Sequence, residues 1–230
     1  MSKIVQVCRL GKISYLDGIK IQNILVKNHR CNTTTTANTL LLLEHPPVYT
    51  IGIRTKDYTV EEEKKLIKTG AEFYRTNRGG LITFHGPGQL VVYPILNLKH
   101  FQASMRWYVS QLETTVINLC EHFGLKAQTS PHTGVWIGDN KVVCAIGVHG
   151  SRFITSHGIA LNCNTNLDWY EHIIPCGIED KGVTSLTEEV GRNISVEEII
   201  PIFIKSFGTV FDCNHIYLEK DEINKLLQKL

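Results

Sequence analysis

The sequence lacks several features that would place it in a common class of protein. No apolar run approaches 18 residues, so no membrane-spanning segment is expected. The 24 basic residues are mixed with 22 acidic ones and form no basic stripe, so nucleic-acid binding is not expected. The glycine-rich segments match neither a P-loop nor a dinucleotide fingerprint. The sequence shows no internal repeat and no signal-peptide pattern.

Cysteine is plentiful, but its pattern argues against disulfides. The cysteines are Cys8, Cys31, Cys120, Cys144, Cys163, Cys176 and Cys213. Their number is odd and the 230-residue chain is not small, so a reducing compartment is expected. Lys3, Arg9 and Lys12 precede the first acid, Asp17, which is compatible with a mitochondrial address, although "IVQV" already has the pattern of a strand.

Helix and strand patterns alternate along the chain. The helical patterns cover residues 15–28, 59–70, 104–123 and about 195–211, and most begin at a capping Ser or Thr. A polar loop is predicted over 32–39. Extended patterns include "LLLLEH", "AEFYRT", "LITFH", "QLVVYPI" and a hairpin within "GVWIGDNKVVCAIGVHG", followed by "SRFITSHGIALN". Adjacent strand patterns favour an α/β (α+β) fold, with a mixed or mostly antiparallel sheet backed by helices.

The densest candidate site lies in "NRGGLITFHGPGQLVVYPI". Glycines allow the backbone to approach a ligand closely. Arg78 supplies a fixed positive charge, and His85 supplies a titratable group. A tight hairpin with a packed histidine is an equally good interpretation of the same residues.

A second candidate site surrounds Cys176. Pro175 and Gly177 argue against a regular strand or helix there, so the thiol is predicted to lie on a turn. A packed thiol, a metal ligand and a nucleophile are all open from the residues alone. Zinc is disfavoured, since only His172 and Cys176 have the spacing of paired ligands. Lys141 is a candidate cation for activating the thiol, whereas the other cysteines in strand patterns, Cys144 and Cys163, are expected in the core.

Four segments together resemble a known family. "RGGLITFHGPGQLVVYPI", "TGVWIGDNKVVCAIGV", "HGIALNCNTNL" and "IIPCGI...GVTSL" resemble the octanoyltransferases of lipoic acid synthesis, in their animal mitochondrial form. The resemblance runs from about residue 5 to 211. It implies the α/β fold of biotin and lipoate protein ligases, in one catalytic domain over 1–230 with a C-terminal tail over 212–230. It also implies a mitochondrial location.

The resemblance implies a reaction and the residues for it. An octanoyl group would move from octanoyl-acyl carrier protein to a lysine of lipoyl domains, the first step of endogenous protein lipoylation. Cys176 would carry the acyl thioester and Lys141 would lower its pKa. As a titratable group, His85 is the reserve candidate for the general base. The substrate-binding residues would be Arg78, Gly79, Gly80, Leu81, Ile82, Thr83, Phe84, His85, Ala145, Ile146, Gly147, Gly158, Ile159 and Ala160.

The resemblance also sets expectations about partners. The acceptors would be the lipoyl domains of 2-oxoacid dehydrogenases and the glycine cleavage H protein. A monomer is expected, and neither cofactor, metal, nucleic acid nor membrane is expected to bind. The glycines at 79, 80, 147 and 158 are predicted to leave room for the octanoyl chain.

One departure from the family pattern concerns Lys141. "KVVCAIG" holds one residue more than the family has between its lysine and the small residues before "IG". A one-residue slip in a strand turns a side chain to the opposite face. A bulge at Val142 or Val143 is therefore needed to restore the geometry; without it, Lys141 points elsewhere.

Two other functions fit the sequence less well. An ATP-dependent lipoate or biotin ligase would share the fold but would need no cysteine nucleophile. A non-catalytic protein that binds lipoyl domains or acyl carrier protein would need no reactive thiol either.

Overall fold

The computed structural model describes residues 3–31, 36–54, 58–138, 141–174 and 181–230. The strands are β1 (Lys3–Lys12), β2 (Asn38–Glu44), β3 (Val48–Ile51), β4 (Glu72–Arg75), β5 (Ile82–His85), β6 (Gln89–Ile95), β7 (Ala127–Gln128), β8 (Val135–Ile137), β9 (Lys141–Ser151), β10 (Ile154–Asn162), β11 (Gly182–Val183) and β12 (Cys213–Tyr217). The helices are α1 (Tyr15–Arg30), α2 (Val60–Ile67), α3 (Met105–His122), α4 (Leu186–Val190), α5 (Val196–Phe211) and α6 (Lys220–Leu227). Of the helices in these ranges, none is long and apolar enough to cross a membrane.

The helix ends follow the capping residues in the sequence. The side chains of Ser14 and Ser104 accept hydrogen bonds from first-turn N–H groups of α1 and α3. Thr59 and Glu62 form a capping box at the start of α2. Such caps satisfy N–H groups that have no partner within the helix, which fixes where each helix begins. The four helices predicted from the sequence are thereby confirmed.

The large sheet is mixed, as the alternation of elements predicted. Its strand order is β12-β1-β2-β6-β10-β9-β8-β7, and β11 pairs with β9. Pairing is parallel between β1 and β2 and antiparallel between β6, β10 and β9. A smaller sheet has the order β4-β3-β5. The predicted fold class, a mixed sheet backed by helices, is confirmed.

Both faces of the large sheet are buried. Leu40 and Leu42 of β2 belong to the core under α3 and α5, whereas Leu41 and Leu43 belong to the core under α1 and α6. Side chains alternate between the two faces of a strand, so an unbroken apolar run is what a doubly covered strand requires. The strand predicted from "LLLLEH" is therefore present, although β2 begins at Asn38, inside the predicted loop.

Strand β9 contains a β-bulge opposite β8. Val135 of β8 pairs with Cys144, but its neighbour Trp136 pairs with Val142, so Val143 is the extra residue. Two residues of β9, Val142 and Val143, thus occupy the space of one residue on β8, which is the definition of a β-bulge. The sequence left two alternatives, a bulge at Val142 or Val143 or a Lys141 side chain that points elsewhere, and the structure contains the bulge.

Candidate active site

A cleft of about 350 Å³ opens where α1, β5, β9 and β10 meet the turn that precedes β5. Twelve of the predicted substrate-binding residues line it: Arg78, Gly79, Gly80, Leu81, Thr83, His85, Ala145, Ile146, Gly147, Gly158, Ile159 and Ala160. Three separate parts of the sequence thus meet at one cavity. Tyr15, Tyr93 and His157 add polar groups to a lining that is otherwise rich in small and aliphatic side chains.

The turn at residues 78–80 is held against the end of β3. Ile53 N–H donates to the Arg78 carbonyl at 3.0 Å, and Gly79 N–H donates to the Val148 carbonyl at 2.9 Å. A Cβ atom on Gly52 would lie only 2.3 Å from the Gly80 carbonyl oxygen. Only glycine therefore permits this approach, and the turn gains a fixed position at the cleft wall.

Arg78 is a buried cation at the base of the cleft. Its Nη2 donates to the carbonyl and hydroxyl oxygens of Thr50, at 2.7 and 2.9 Å, and its Nη1 donates to the Gly79 carbonyl at 2.9 Å. These bonds hold the planar guanidinium in one orientation. Its positive charge adds to burial in lowering the pKa values of His85 and His157.

His85 is neutral and fully engaged. Its Nδ1 lies 2.8 Å from Gln89 Oε1, and its Nε2 lies 3.2 Å from the Thr50 hydroxyl. Gln89 Nε2 donates to Asn162 Oδ1, so Gln89 Oε1 is the acceptor and His85 Nδ1 carries the proton. Burial lowers the His85 pKa to about 3. The structure argues against His85 as a general base, because a group of such low pKa accepts protons poorly at neutral pH.

A second pair of polar groups lies beside His85. His45 Nδ1 donates to the Ile13 carbonyl at 2.9 Å, so its Nε2 accepts the Tyr93 hydroxyl proton, also at 2.9 Å. Tyr15 of α1 stacks on His85, with 6.2 Å between ring centroids. These aromatic rings close the polar end of the cleft.

Gly147 and Gly158, which were predicted to leave room for the octanoyl chain, have another role. A Cβ on Gly147 would lie 3.0 Å from Arg78 Cδ and 3.0 Å from the Gly79 carbonyl oxygen. A Cβ on Gly158 would lie 2.0 Å from the Val92 carbonyl oxygen. The space that these two residues leave is filled by protein atoms, so they allow close packing of the cleft walls and leave no room for a ligand. That part of the prediction is wrong for Gly147 and Gly158.

Three predicted site residues do not line the cleft. Ile82 and Phe84 lie in the core of the smaller sheet, because β5 alternates its side chains and Thr83 and His85 take the cleft side. The Lys141 side chain is 57% exposed, and its Nζ lies 3.4 Å from Glu189 Oε1. Cys176, with residues 175–180, lies outside the described residues.

The other cysteines in this region are inert core residues. Cys144 and Cys163 are completely buried, as the sequence predicted. Burial raises the pKa of Cys163 to about 12 and that of Cys144 well above its ordinary value. Thiols with such pKa values remain protonated and unreactive at neutral pH. Within the described ranges, no group of three or more His, Cys, Asp and Glu residues is placed to hold a metal ion.

Several residues of the cleft gave no signal in the sequence. Tyr15 and Tyr93 line the cleft from different elements, and each was predicted only as part of a helix or strand. Thr50, which holds Arg78 from behind the cleft, was not predicted as a site residue. His157 begins the family motif "HGIALNCNTNL" but was not predicted as a site residue. Its φ of 55° is uncommon for a residue other than glycine, a conformation that often marks functional sites.

The buried histidines predict a steep loss of stability in mild acid. Burial, as the largest cause, lowers the pKa of His45 to about 4 and those of His85 and His157 to about 3. The unfolded chain binds these protons near pH 6.5 and the folded chain does not, so stability falls as pH decreases below 6.5. Three such groups give a slope approaching about 4 kcal/mol per pH unit between pH 6 and 5. His29 and His215, whose pKa values burial also lowers, act in the same direction.

Urea unfolding at pH 7, 6 and 5 measures this slope. The variant His85→Gln, which removes one titrating group, should reduce the slope by about a quarter to a third. An unfolding midpoint that stays constant from pH 7 to pH 5 would contradict the expectation.

The fold and the cleft are those of a lipoyl protein ligase catalytic domain. The family model described as the lipoyl protein ligase A/B catalytic domain matches residues 14–208. A bipartite lipoate protein ligase of Thermoplasma acidophilum superposes with a TM-score of 0.70 at 16% identity, covering 100% of this chain and 92% of that one. A likeness at that identity shows the shared fold.

Relatives of higher identity show which enzymes within this family the chain resembles. A mitochondrial octanoyl-[acyl-carrier-protein]:protein N-octanoyltransferase of Danio rerio is 56% identical over 93% of this chain and 95% of its own length. The human enzyme of the same name is 44% identical over 92% of this chain and 95% of its own length. The chain belongs to the lipoyl protein ligase A/B family, in its octanoyltransferase branch. The predicted octanoyltransferase function, acyltransferase class and mitochondrial location are confirmed by these relatives.

Proposed function

We propose that this octanoyltransferase works through a thioester on Cys176, with an octanoyl-acyl carrier protein as donor and a lysine of a lipoyl domain as acceptor. The observation that supports it best is the meeting of three predicted acyl-binding segments at one cleft. Leu81, Ile146 and Ile159 give the cleft aliphatic walls that suit a hydrocarbon chain. The proposal assigns the acyl chain to this cleft.

The positions of the residues flanking Cys176 are compatible with this assignment. Before the segment, the Tyr170 hydroxyl donates to Asn162 Oδ1 at 3.2 Å. After it, Asn162 Nδ2 donates to the Thr184 carbonyl at 3.0 Å. Asn162 is the last residue of β10, the strand that also supplies Gly158, Ile159 and Ala160 to the cleft. Residues on both sides of the Cys176 segment therefore contact the final residue of a strand that lines the cleft.

Lys141 is the proposed cation for the thiolate. It pairs in register with Gly182, close to where the chain resumes after Cys176. A positive charge near a thiol lowers its pKa and raises the fraction of nucleophilic thiolate. Lys141 also contacts Glu189, so this role requires its Nζ to turn from that carboxylate toward the thiol.

The proposed reaction has two transfers. The Cys176 thiolate attacks the thioester carbonyl of the donor, the bond to the donor sulfur breaks, and the donor leaves as a thiol after taking up a proton. This exchange of one thioester for another is nearly isoenergetic and needs no ATP. The acceptor amine then attacks the Cys176 thioester, forms an amide, and releases Cys176. The amine must first lose a proton, since a free lysine has a pKa of about 10.4.

The alternative function, an ATP-dependent ligase, predicts a different requirement. A ligase activates the free acid as an adenylate, so transfer would need ATP and free octanoate. Nothing in the relatives of higher identity favours that function over the transferase, because both are named octanoyltransferases.

Intact-mass spectrometry of the protein after incubation with octanoyl-acyl carrier protein, without ATP, tests the proposal. We expect one octanoyl adduct, which peptide mapping places on Cys176 and which a lipoyl domain removes as it becomes octanoylated. In the variant Lys141→Gln, the adduct should form more slowly but at the same site. Transfer without any adduct, or transfer that requires ATP and free octanoate, would contradict the thioester mechanism.

A further inference from the structure

A second cavity lies directly behind the cleft. Its volume is about 290 Å³, and it lies between α1, β10 and the segment that follows β4. Tyr15 and His157 line both cavities. The two spaces are thus separated by these side chains, with Asn77 beside them on the second cavity's side. Tyr15, His157 and Asn77 are called the partition below.

The partition is fixed from several directions. His157 Nε2 lies 2.8 Å from Asn77 Oδ1, and the His157 backbone N–H donates to Gln22 Oε1 at 2.6 Å. The Tyr15 ring stacks on Tyr74, with 5.2 Å between ring centroids. Tyr15 and His157 are 3% and 5% exposed, so neither side chain moves freely into solvent. A wall held by two hydrogen bonds and a ring contact is rigid enough to limit what the cleft accepts.

The partition lies toward the end of β10 opposite to Asn162, the residue that Tyr170 and Thr184 contact. His157 pairs with Val148, whereas the flanking contacts are made by Asn162 at the other end of β10. Five residues of extended strand separate these positions by about 17 Å. An acyl chain whose carbonyl lies near the Asn162 end would therefore extend its methyl end toward Tyr15 and His157.

We propose that the partition is the chain-length stop of the acyl cleft. It confines the donor to medium-length acyl thioesters by closing off the cavity behind it. This inference rests on the proposed function, since it assumes that the cleft holds the acyl chain. The second cavity has the volume of about ten water molecules, each taking about 30 Å³, which leaves space for several further methylene groups. Removing a partition side chain should therefore join the two spaces and admit longer chains.

A competition experiment tests this inference. Each protein receives an equimolar mixture of octanoyl-, decanoyl-, dodecanoyl- and tetradecanoyl-acyl carrier protein, and intact-mass spectrometry measures the ratio of the resulting adducts. The ratio is independent of how much protein is folded. For Tyr15→Ala and His157→Gly, the ratio of dodecanoyl to octanoyl adduct should rise at least tenfold over the unmodified protein. His157→Gly is the gentler change, because glycine adopts the φ of 55° without strain.

The matched control is Leu16→Ala. Leu16 lines the second cavity but not the cleft, so its truncation enlarges that cavity without opening the partition. Its adduct ratio should equal that of the unmodified protein. An unchanged ratio in both partition variants, or an equal rise in the Leu16 variant, would overturn the chain-length stop. Absence of any octanoyl adduct on the unmodified protein would instead contradict the proposed function, so the two failures are distinguishable.

Discussion

Replacing Cys176 with serine is expected to reduce octanoyl transfer by about a thousandfold or more. A hydroxyl has no appreciable anionic fraction at neutral pH, whereas a thiol with a neighbouring cation does. An acyl group on serine would also be an ester, which an amine attacks more slowly than a thioester. The initial rate of lipoyl-domain octanoylation, followed by mass spectrometry with both substrates in excess, measures the loss.

The matched control for this change is Cys31→Ser. Cys31 is exposed at the end of α1, so its replacement tests a cysteine-to-serine change away from the cleft. Its rate should equal that of the unmodified protein. A Cys176→Ser variant that retains more than about a tenth of the normal rate would show that another group carries the acyl chain. Cys144 and Cys163 are unsuited to that task because they are buried and protonated.

Replacing Gly158 with alanine is expected to destabilise the protein by about 3 kcal/mol or more. The new Cβ would lie 2.0 Å from the Val92 carbonyl oxygen and 2.7 Å from Pro94 Cδ. Both contacts are with β6, whose pairing with β10 is central to the large sheet. The clash involves backbone, so relief requires the two strands to separate, with loss of ladder hydrogen bonds and of packing on both faces.

Urea unfolding of Gly158→Ala and Gly79→Ala measures this effect against a matched control. A Cβ on Gly79 would meet one atom, the Val148 carbonyl oxygen, at an ordinary contact distance of 3.4 Å. The free energy of unfolding of Gly79→Ala should be within about 0.5 kcal/mol of that of the unmodified protein. Alanine lowers the conformational entropy of the unfolded chain, which slightly favours folding, and no steric clash opposes this effect. Equal stabilities for the two variants would show that the close approach at Gly158 has no energetic consequence.

The fold was predictable wherever a local signal existed. Ser104 caps α3 at the start of its predicted range, and Gly124 follows that helix with a φ of 71°, a conformation that favours glycine. The turn between β9 and β10 was missed, because Arg152 and Phe153 adopt positive φ without the glycine or asparagine that usually marks such a turn. Strand β12 was also missed. Its residues, "CNHIY", are mostly exposed or half-buried and show no regular apolar alternation.

The candidate site was predictable as segments but not as an arrangement. The segments around Arg78, Gly147 and Gly158 carried family motifs, and they meet at the cleft. Thr50 and Tyr15, which pack behind these segments, belong to no family motif. The role of Thr50 could not be predicted from the sequence, because Thr50 acts by accepting hydrogen bonds from Arg78, which lies 28 residues away in the chain. Tyr15 resembled an ordinary core residue of an amphipathic helix, and only the packing of α1 against β10 places it at the cleft.

The parallel pairing of β1 with β12 has a consequence for how the chain is made. Lys3 pairs with Cys213, so one edge of β1 stays open until the ribosome has added some 210 further residues. Closing so long a loop is slow, and an open strand edge is a template for aggregation in the meantime. On this edge, β1 can therefore gain its native partner only when nearly the whole chain has been made. Chaperones that hold unfolded segments are the natural safeguard during that interval.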